Sequence, residues 1–370
     1  MSAVEEHPFP THQQDAVLFP VPVLTPGVLT REESGAVVLI SQNTGRRWQF
    51  IRVLRTCIYG EVLLAIEFTD DAGGKRQYAQ SHSAIKKMSL AKIMASQPLP
   101  GGGRRQTNED PMQEVAVMQL LARGGGHTNV LTLTEAIKDA TDAFLVTPYC
   151  DGGELFDVLS ETASETQRGF SEKEARMLFA QLIEGVDYLQ RQRVTHRDMS
   201  LENLLLHKGR VVVVIDFGMA LQIPIGPGGE RALFTPQGQC GKKNYMSPEV
   251  LQNEAFDGFA VDIWACGIIL FIMVTGIPPF HLPSVRDQRF RMIAVDHKLQ
   301  ELLQLWKFNL SPLLVELLQS MLQMEARMRP SVAQIRMHPW VGASTPVVLV
   351  TGWPFICSTT KPLLLHKQLC

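Results

Sequence analysis

Two short segments, close together in the chain, restrict its fold more than any other feature. The first, VTHRDMSLENLLL (194–206), carries Asp198 and, five positions later, Asn203 in an otherwise largely apolar run. The second, VVVVIDFGMA (211–220), is a hydrophobic run that leads directly into Asp216. A hydrophobic run that ends in one aspartate is unremarkable alone, so the constraint comes from the combination of the two segments.

The hydrophobic pattern changes along the chain from strand-like to helix-like. WQFIRVLR and EVLLAIEF are short β-rich runs separated by the hairpin-like break TCIYG, and SAIKKM (83–88) predicts a further strand. After Pro111, the residues Glu114, Met118 and Leu121 recur at helical spacing and share one face. A β-rich first third followed by a helix-rich remainder predicts a two-lobed α+β architecture.

Helix starts are marked in the second part of the chain. A capping box begins at Ser171, and Ser311 and Ser331 are further N-cap candidates. The apolar stretch WACGIILFIMVTGIPPF (264–280) is broken at Gly276 before it reaches the length of a membrane span, so it predicts a buried core helix. The sequence therefore predicts no membrane span.

Composition is typical of a globular protein and excludes several function classes. The net charge of −2 provides no global field for nucleic acid or anionic membrane. Six scattered cysteines form no C-x-x-C pair, which favours reduced thiols over a metal site or disulfides. The start of the chain lacks a signal-peptide pattern, and Ser2 replaces the glycine that N-myristoylation needs. We expect an intracellular, cytoplasmic protein.

The motifs together resemble a eukaryotic protein kinase catalytic domain of the serine/threonine type. HRD-x4-N is followed by D-F-G and by S-P-E at 247–249, a highly specific set. Its motifs resemble most those of the basophilic groups, the calcium/calmodulin-dependent and cyclic-nucleotide-dependent kinases. The resemblance implies a small antiparallel β-rich N-lobe and a larger, mainly helical C-lobe.

The resemblance also sets domain boundaries. Residues 47–341 would form the kinase domain, with the N-lobe at 47–147, the hinge at 148–151 and the C-lobe at 152–341. Residues 1–46 would be an N-terminal extension of uncertain order, with a β-prone patch at 36–40, and residues 342–370 a C-terminal tail. The Pro/Gly/Arg-rich stretch 96–111 is interpreted as an insertion between a strand and a helix.

The resemblance implies ATP and Mg²⁺ as cofactors and assigns roles to five residues. Lys86 would contact the nucleotide phosphates and pair with Glu114. Asp198 would accept or orient the substrate hydroxyl. Asp216 and Asn203 would hold magnesium, a hard cation that prefers oxygen ligands.

Further residues match structural and nucleotide-binding positions of the family. Glu249 would form a buried ion pair with Arg329, and Asp262 would brace the backbone of the loop that carries Asp198. An apolar slot with a few backbone hydrogen-bonding groups would hold the adenine. The residues predicted to bind the nucleotide in addition to Lys86 are Leu54, Gly60, Val62, Ala84, Thr147, Pro148, Cys150 and Leu205.

Two departures from the family pattern bear on activity. The glycine-rich loop retains only its third glycine, Gly60, while Arg55 and Cys57 replace the first two. In addition, Ser200 stands where serine/threonine kinases carry a lysine, and Lys242 stands where they carry a threonine. We interpret this second change as an exchange in which Lys242 supplies the missing charge; a solvent-facing Lys242 is the alternative.

Substrate and regulation are predicted from four side chains. Glu154 and Glu202 occupy positions at which basophilic kinases bind arginines, which predicts a substrate with Arg at −3 or −2. Arg197 is of the kind that binds a phosphorylated residue in the activation segment, and Thr235 is the candidate for that residue.

Three functions compete on sequence grounds. The first is an active serine/threonine protein kinase that acts on a protein substrate. The second is a pseudokinase scaffold, favoured by the altered glycine loop and by Ser200. The third, a small-molecule phosphotransferase of related fold, is disfavoured by the S-P-E segment and the G-G-E motif.

Overall fold

The first part of the chain forms a closed barrel of β-strands. The structure, a computed structural model, describes residues 13–96, 110–226 and 230–342. Most of the predicted insertion at 96–111, the first twelve residues and the tail beyond 342 lie outside the described residues. The barrel and the mainly helical part that follows it are the two lobes of a protein-kinase-like fold, as predicted.

The strands and helices of the first lobe follow one another in a simple order. They are β2 (Thr25–Arg31), β3 (Val37–Ser41), β4 (Arg47–Thr56), β5 (Gly60–Asp70), β6 (Arg76–Ser89), α1 (Leu90–Ser96), α2 (Pro111–Arg123), β7 (Glu135–Lys138) and β8 (Asp142–Pro148). Strand β1 (Gln13–Gln14) precedes them and pairs with a strand of the second lobe. The barrel order is β2-β3-β4-β5-β6-β8-β7, and β2 closes it by pairing in parallel with β7. The predicted strands around 48–55, 61–68 and 83–88 are confirmed.

Strands β2 and β3 belong to the N-terminal extension, whose order the sequence left open. They are fixed by Glu135 on β7, a buried carboxylate that accepts hydrogen bonds from three hydroxyl groups. Thr25 donates to it over 3.2 Å and Thr44 over 3.1 Å, and Ser41 donates the third bond. Because a buried carboxylate is costly without hydrogen-bond donors, these contacts tie residues 25–44 to the lobe.

The second lobe is built mainly of helices. Its elements are α3 (Leu155–Thr166), α4 (Glu172–Arg191), β9 (Val194–Thr195), a 3-10 turn (Leu201–Asn203), β10 (Leu204–His207), β11 (Val211–Val214), β12 (Leu221–Gln222), β13 (Leu233–Phe234), α5 (Pro248–Leu251), α6 (Gly258–Thr275), α7 (Gln288–Phe290), a π-helical turn (Arg291–Val295), α8 (Leu299–Leu305), α9 (Pro312–Met321), a 3-10 turn (Ala326–Met328), α10 (Val332–Met337) and α11 (Pro339–Gly342). Ser171, Ser311 and Ser331 are the N-caps of α4, α9 and α10, as predicted.

Helix α6 is the centre of the second lobe. In the part of the chain that the structure describes, one helix is long and apolar enough to cross a membrane, and it is this one. Seventeen of its 18 residues are buried and Phe259 is partly buried, so the prediction of a core helix is confirmed. The helix ends at Gly276, whose φ of 78° is the left-handed conformation that glycine adopts without strain.

A buried ion pair joins α5 to the segment before α10. The guanidinium of Arg329 donates to both carboxylate oxygens of Glu249, over 2.6 and 2.8 Å. Burial raises the pKa of Glu249, but Arg329 outweighs this effect and holds the pKa below its ordinary value. The pair is therefore charged in the folded protein at neutral pH.

We expect Arg329→Met to destabilise the protein by about 3–5 kcal/mol, because it leaves the Glu249 carboxylate buried without its counter-charge. The exposed pair between Arg336 and Glu184 provides the matched control, and Arg336→Met should cost about 0–1 kcal/mol. Urea unfolding measures both. Equal losses for the two variants would contradict the expectation.

The same pair predicts a pH dependence of stability. Because the folded-state pKa of Glu249 is lowered, its contribution is complete above the ordinary glutamate pKa of about 4.3 and is lost as the pH falls further. In Glu249→Gln this part of the acid sensitivity should be absent, which urea unfolding between pH 3 and 6 would measure.

Candidate active site

Lys86 and Glu114 connect the barrel to helix α2. Lys86 lies on β6, and its Nζ is 2.6 Å from Oε2 of Glu114. Glu114, Met118 and Leu121 are all buried on one face of α2, as their spacing predicted. The neighbouring Lys87 points away and pairs with Asp142. Because side chains alternate along a strand, Lys86 lies on the side of β6 that faces Glu114 and Lys87 lies on the other side.

The charge state of Lys86 is set by two carboxylates. Burial lowers the pKa of Lys86, but Glu114 and Asp216 outweigh this effect and raise it above its ordinary value. Lys86 therefore remains a cation at neutral pH. Asp216, which directly follows the strand-like run 211–215, is thus close enough to interact electrostatically with Lys86.

The loop that carries Asp198 is held from behind by Asp262 on α6. This buried carboxylate accepts hydrogen bonds from the Thr195 hydroxyl and the His196 amide, each over 2.8 Å, and from the Arg197 amide over 2.9 Å. Arg197 has a φ of 67°, a strained conformation for a residue with a side chain. The three bonds fix the loop in a shape that it would not adopt alone.

Asp198 lies where three segments of the second lobe meet. Asn203 donates from Nδ2 to the Asp198 carboxylate over 2.9 Å and to its carbonyl oxygen over 2.7 Å. The amide of Lys242 donates to the other carboxylate oxygen over 3.2 Å. Gly241 allows this approach, because a Cβ there would lie 3.0 Å from the Arg197 carbonyl oxygen and its φ is 82°.

Ser200 and Lys242 are in direct contact. Nζ of Lys242 donates to the hydroxyl of the fully buried Ser200 over 2.8 Å and lies 3.3 Å from the carboxylate of Glu202. The two exchanged positions, 200 and 242, are therefore neighbours, as the exchange hypothesis requires. Lys242 does not simply extend into solvent.

The loop over the cleft is a tight hairpin between β4 and β5. Cys57 and Gly60 exchange backbone hydrogen bonds across the turn, over 2.8 and 3.2 Å. A Cβ at Gly60 would lie 2.1 Å from the carbonyl oxygen of Lys87, so the retained glycine is needed for strand packing as well. The hairpin keeps its shape without the first two glycines.

Arg55, at the position of the first lost glycine, bridges the two lobes. Its Nη1 is 2.9 Å from Oε1 of Glu154, which directly precedes α3. Burial raises the pKa of Glu154, and Arg55 opposes the increase. Both carboxylates predicted to bind substrate arginines, Glu154 and Glu202, are thus paired with cations of the chain itself.

The apolar residues predicted to line an adenine slot come from both lobes. Leu54, Val62, Ala84 and Leu205 are each partly exposed. Thr147 is buried and donates to the carbonyl oxygen of Ala84 over 3.2 Å. Pro148 and Cys150 follow at the connection to the second lobe. Burial, and to a lesser extent Asp151, raises the pKa of the Cys150 thiol to about 11, which disfavours a reactive thiolate.

Asp216 and Asn203 are the residues that could contribute oxygen ligands to a metal ion. Among residues 13–96, 110–226 and 230–342, no group of three or more His, Cys, Asp or Glu side chains could hold a metal ion. Asp216 offers carboxylate oxygens, and Asn203 retains its Oδ1 because both of its hydrogen bonds use Nδ2. The remaining ligands would come from phosphate oxygens and water.

The predicted regulatory residues do not contact each other. The guanidinium of Arg197 donates to the sulfur of Cys240 over 2.7 Å and lies over the ring of Phe256. Burial raises the pKa of Cys240 although Arg197 lies beside it. Thr235 instead donates to Asp15, a residue of the N-terminal extension, over 2.8 Å. No sequence signal pointed to Asp15 or Cys240.

The barrel, the helical lobe and this arrangement of lysine, carboxylates and loops define the protein kinase fold. A family model described as "Protein kinase domain" matches residues 72–341, which is more than half of the chain. The chain belongs to the protein kinase family.

Curated relatives point to the same family. The chain is 34% identical over 281 residues to a CBL-interacting protein kinase 1 of Oryza sativa, covering 74% of this chain and 55% of the relative. It is 35% identical to CBL-interacting serine/threonine-protein kinase 16 of Arabidopsis thaliana, covering 72% and 54%. It is 30% identical to sperm motility kinase 2A of Mus musculus, covering 68% and 45%. The chain spans about half the length of these relatives.

Proposed function

We propose that the chain is a serine/threonine protein kinase that transfers the γ-phosphoryl group of ATP to a protein hydroxyl with the help of Mg²⁺. The observation that carries the proposal is that Asp216 links the Lys86–Glu114 ion pair to the Asp198–Asn203 pair. Asp216 interacts electrostatically with Lys86, and the amide of the preceding residue, Ile215, donates to the carbonyl oxygen of Asn203 over 3.0 Å. A scaffold without turnover would have no chemical need for all five residues.

Each residue has a distinct task in this proposal. Lys86, held as a cation by two carboxylates, orients the nucleotide phosphates. Asp198, oriented by Asn203 and by the Lys242 amide, accepts a hydrogen bond from the substrate hydroxyl and aligns it with the phosphorus. Asp216 and Asn203 are the residues that would hold magnesium, which neutralises phosphate charge when bound.

Lys242 takes over the role of the missing lysine. Its ammonium group lies beside Ser200, in the loop that follows Asp198. From there it can contact the transferring phosphate from the substrate side of the cleft and stabilise charge in the transition state. The salt bridge to Glu202 keeps the ammonium group in place before substrate binds.

The substrate is a protein segment with arginine at −3 or −2. Glu154 and Glu202 are partly buried carboxylates that already pair with the chain's own cations, Arg55 and Lys242. A substrate guanidinium would replace Arg55 on Glu154 and form the bidentate contact that carboxylates favour. The four cysteines among the described residues are free, and we place the protein in a reducing, cytoplasmic environment.

We expect the protein to phosphorylate a basic serine peptide with radiolabelled ATP and Mg²⁺, and Asp198→Asn to lower kcat by at least about 10²-fold. ATP binding, measured by calorimetry, should persist in that variant. If the wild-type protein binds ATP but shows no turnover above that of Asp198→Asn, the protein is a pseudokinase and the proposed function is wrong.

We expect Lys242→Ala to lower kcat about 10²-fold, since it removes a charge that acts on the transferring phosphate. Lys243→Ala is the matched control, because that side chain is exposed and should leave kcat unchanged. The exchange Ser200→Lys with Lys242→Thr should recover most of the loss. An unchanged kcat in Lys242→Ala would exclude the exchange.

Substrate preference is tested with paired peptides that differ only by Arg or Ala at −3. Glu154→Gln should raise the KM of the Arg peptide about tenfold and leave that of the Ala peptide unchanged. Arg55→Ala should lower the KM of the Arg peptide, because it removes the internal competitor, whereas the exposed Arg52→Ala should not. Equal use of both peptides by the wild type would contradict the basic preference.

A further inference from the structure

The described part of the N-terminal extension runs across the elements that surround the cleft. We call residues 13–24 the strap and residues 216–249, of which 227–229 are not described, the activation segment. The strap begins as strand β1, which pairs in parallel with β13 of the activation segment. It continues past α2 and enters the barrel at β2.

The first contact of the strap is with Thr235. The amide of Thr235 donates to the carbonyl oxygen of Gln14 over 3.1 Å, and its hydroxyl donates to the Asp15 carboxylate over 2.8 Å. The strap thus adds a strand to the activation segment and binds the side chain next to that strand. Strand addition provides affinity through main-chain hydrogen bonds and specificity through side chains.

Two further contacts hold the same region. Val17 forms a β-bridge with Gln222, which itself pairs with β9 immediately before His196. Ala16 packs against an apolar cluster of the second lobe. The buried members of that cluster are Ile223, Phe234, Met246, Val250, Phe256 and Val261. The strap therefore contacts the activation segment at two places, at Gln222 and at residues 233–235.

The strap also holds helix α2. The amide of Val23 donates to the side-chain oxygen of Gln119 over 3.0 Å, and the Gln119 amide group donates back to the Val23 carbonyl oxygen. Gln119 lies on the helix that carries Glu114. A reciprocal pair of this kind restrains the helix in the position that forms the Lys86–Glu114 ion pair.

Among the described residues, no carboxylate pairs with the Arg197 guanidinium, which contacts the thiol of Cys240, the carbonyl oxygen of Met219 and the ring of Phe256 instead. In the described part of the activation segment, β13 pairs with the strap and β12 pairs with β9.

We propose that the strap is an internal positioning element that orders the activation segment for substrate binding without phosphorylation. Asp15 is its key positioning residue, and phosphorylation of Thr235 releases the strap rather than activating the protein. A phosphate at Thr235 would place about two negative charges beside the Asp15 carboxylate and break the hydrogen bond between them. The effect on turnover rests on the proposed kinase function; the ordering of the segment does not.

Hydrogen exchange tests the ordering directly, without any turnover. In Ala16→Asp, which places a charge against the apolar cluster, amides in 230–240 should exchange at least about tenfold faster, while those of α6 should be unchanged. Asp15→Ala, which removes the acceptor of the Thr235 hydroxyl, is a second release variant in case the first fails to fold. Leu18→Ala is the matched control, because Leu18 lies on the strap but is 89% exposed. Unchanged exchange in both release variants would overturn the proposal.

Kinetics and charge reversal test the role of Asp15. Asp15→Ala should lower kcat/KM for the peptide about fivefold with an unchanged KM for ATP, and Asp15→Asn, which keeps an acceptor oxygen, should restore most of it. Thr235→Glu should act like Asp15→Ala, and adding Asp15→Lys to Thr235→Glu should restore activity through an opposite charge pair. If Thr235→Glu raises activity, the proposal is wrong.

The two proposals fail in distinguishable ways. A wild-type protein without turnover would refute the proposed function, while hydrogen exchange in the release variants would still decide whether the strap orders the segment. A wild-type protein with full turnover and release variants with unchanged exchange would refute the strap alone.

Discussion

The cleft depends on one buried carboxylate, that of Asp262. The core helix α6 places it beneath the loop 195–198, where it accepts three hydrogen bonds from Thr195, His196 and Arg197. The left-handed conformation of Arg197 costs on the order of 1–3 kcal/mol, and these bonds offset that cost. Without this support Asp198 would lose its fixed position relative to Asn203 and Lys242. The position of the reacting groups therefore depends on a helix of the hydrophobic core.

Positive charges around the active site stand at other positions than in the family pattern. Ser200 stands where the family pattern has a lysine. Lys242, in the activation segment, brings an ammonium group to the Ser200 hydroxyl. A cation has been added at Arg55, where the family pattern has glycine, and it pairs with Glu154 across the two lobes. Each of these cations pairs with a carboxylate, Arg55 with Glu154 and Lys242 with Glu202. The two carboxylates are close enough to repel each other, and the cations offset this repulsion.

The N-terminal extension changes the first lobe from an open sheet to a closed barrel. Strands β2 and β3 cover both edges of the sheet formed by β4 to β8, and closure removes the unpaired backbone groups that edges expose. The buried Glu135 fixes this closure through hydroxyl groups rather than through a cation. Since the extension also reaches the activation segment, one stretch of chain links the stability of the first lobe to the order of the second.

The sequence by itself determined many of the elements and the candidate groups, because hydrophobic periodicity, helix caps and short motifs are local; it left strands β2 and β3 open. The helix face of Glu114, the caps at Ser171, Ser311 and Ser331, and the buried nature of α6 could all be predicted. Only the tertiary structure determined which groups are in contact with each other. Arg55 reached Glu154, Arg197 met Cys240 and Thr235 met Asp15, the last pair 220 positions apart in the chain. Such pairings depend on how the lobes and the strap pack, and charge or hydroxyl character in a sequence does not specify a distant partner.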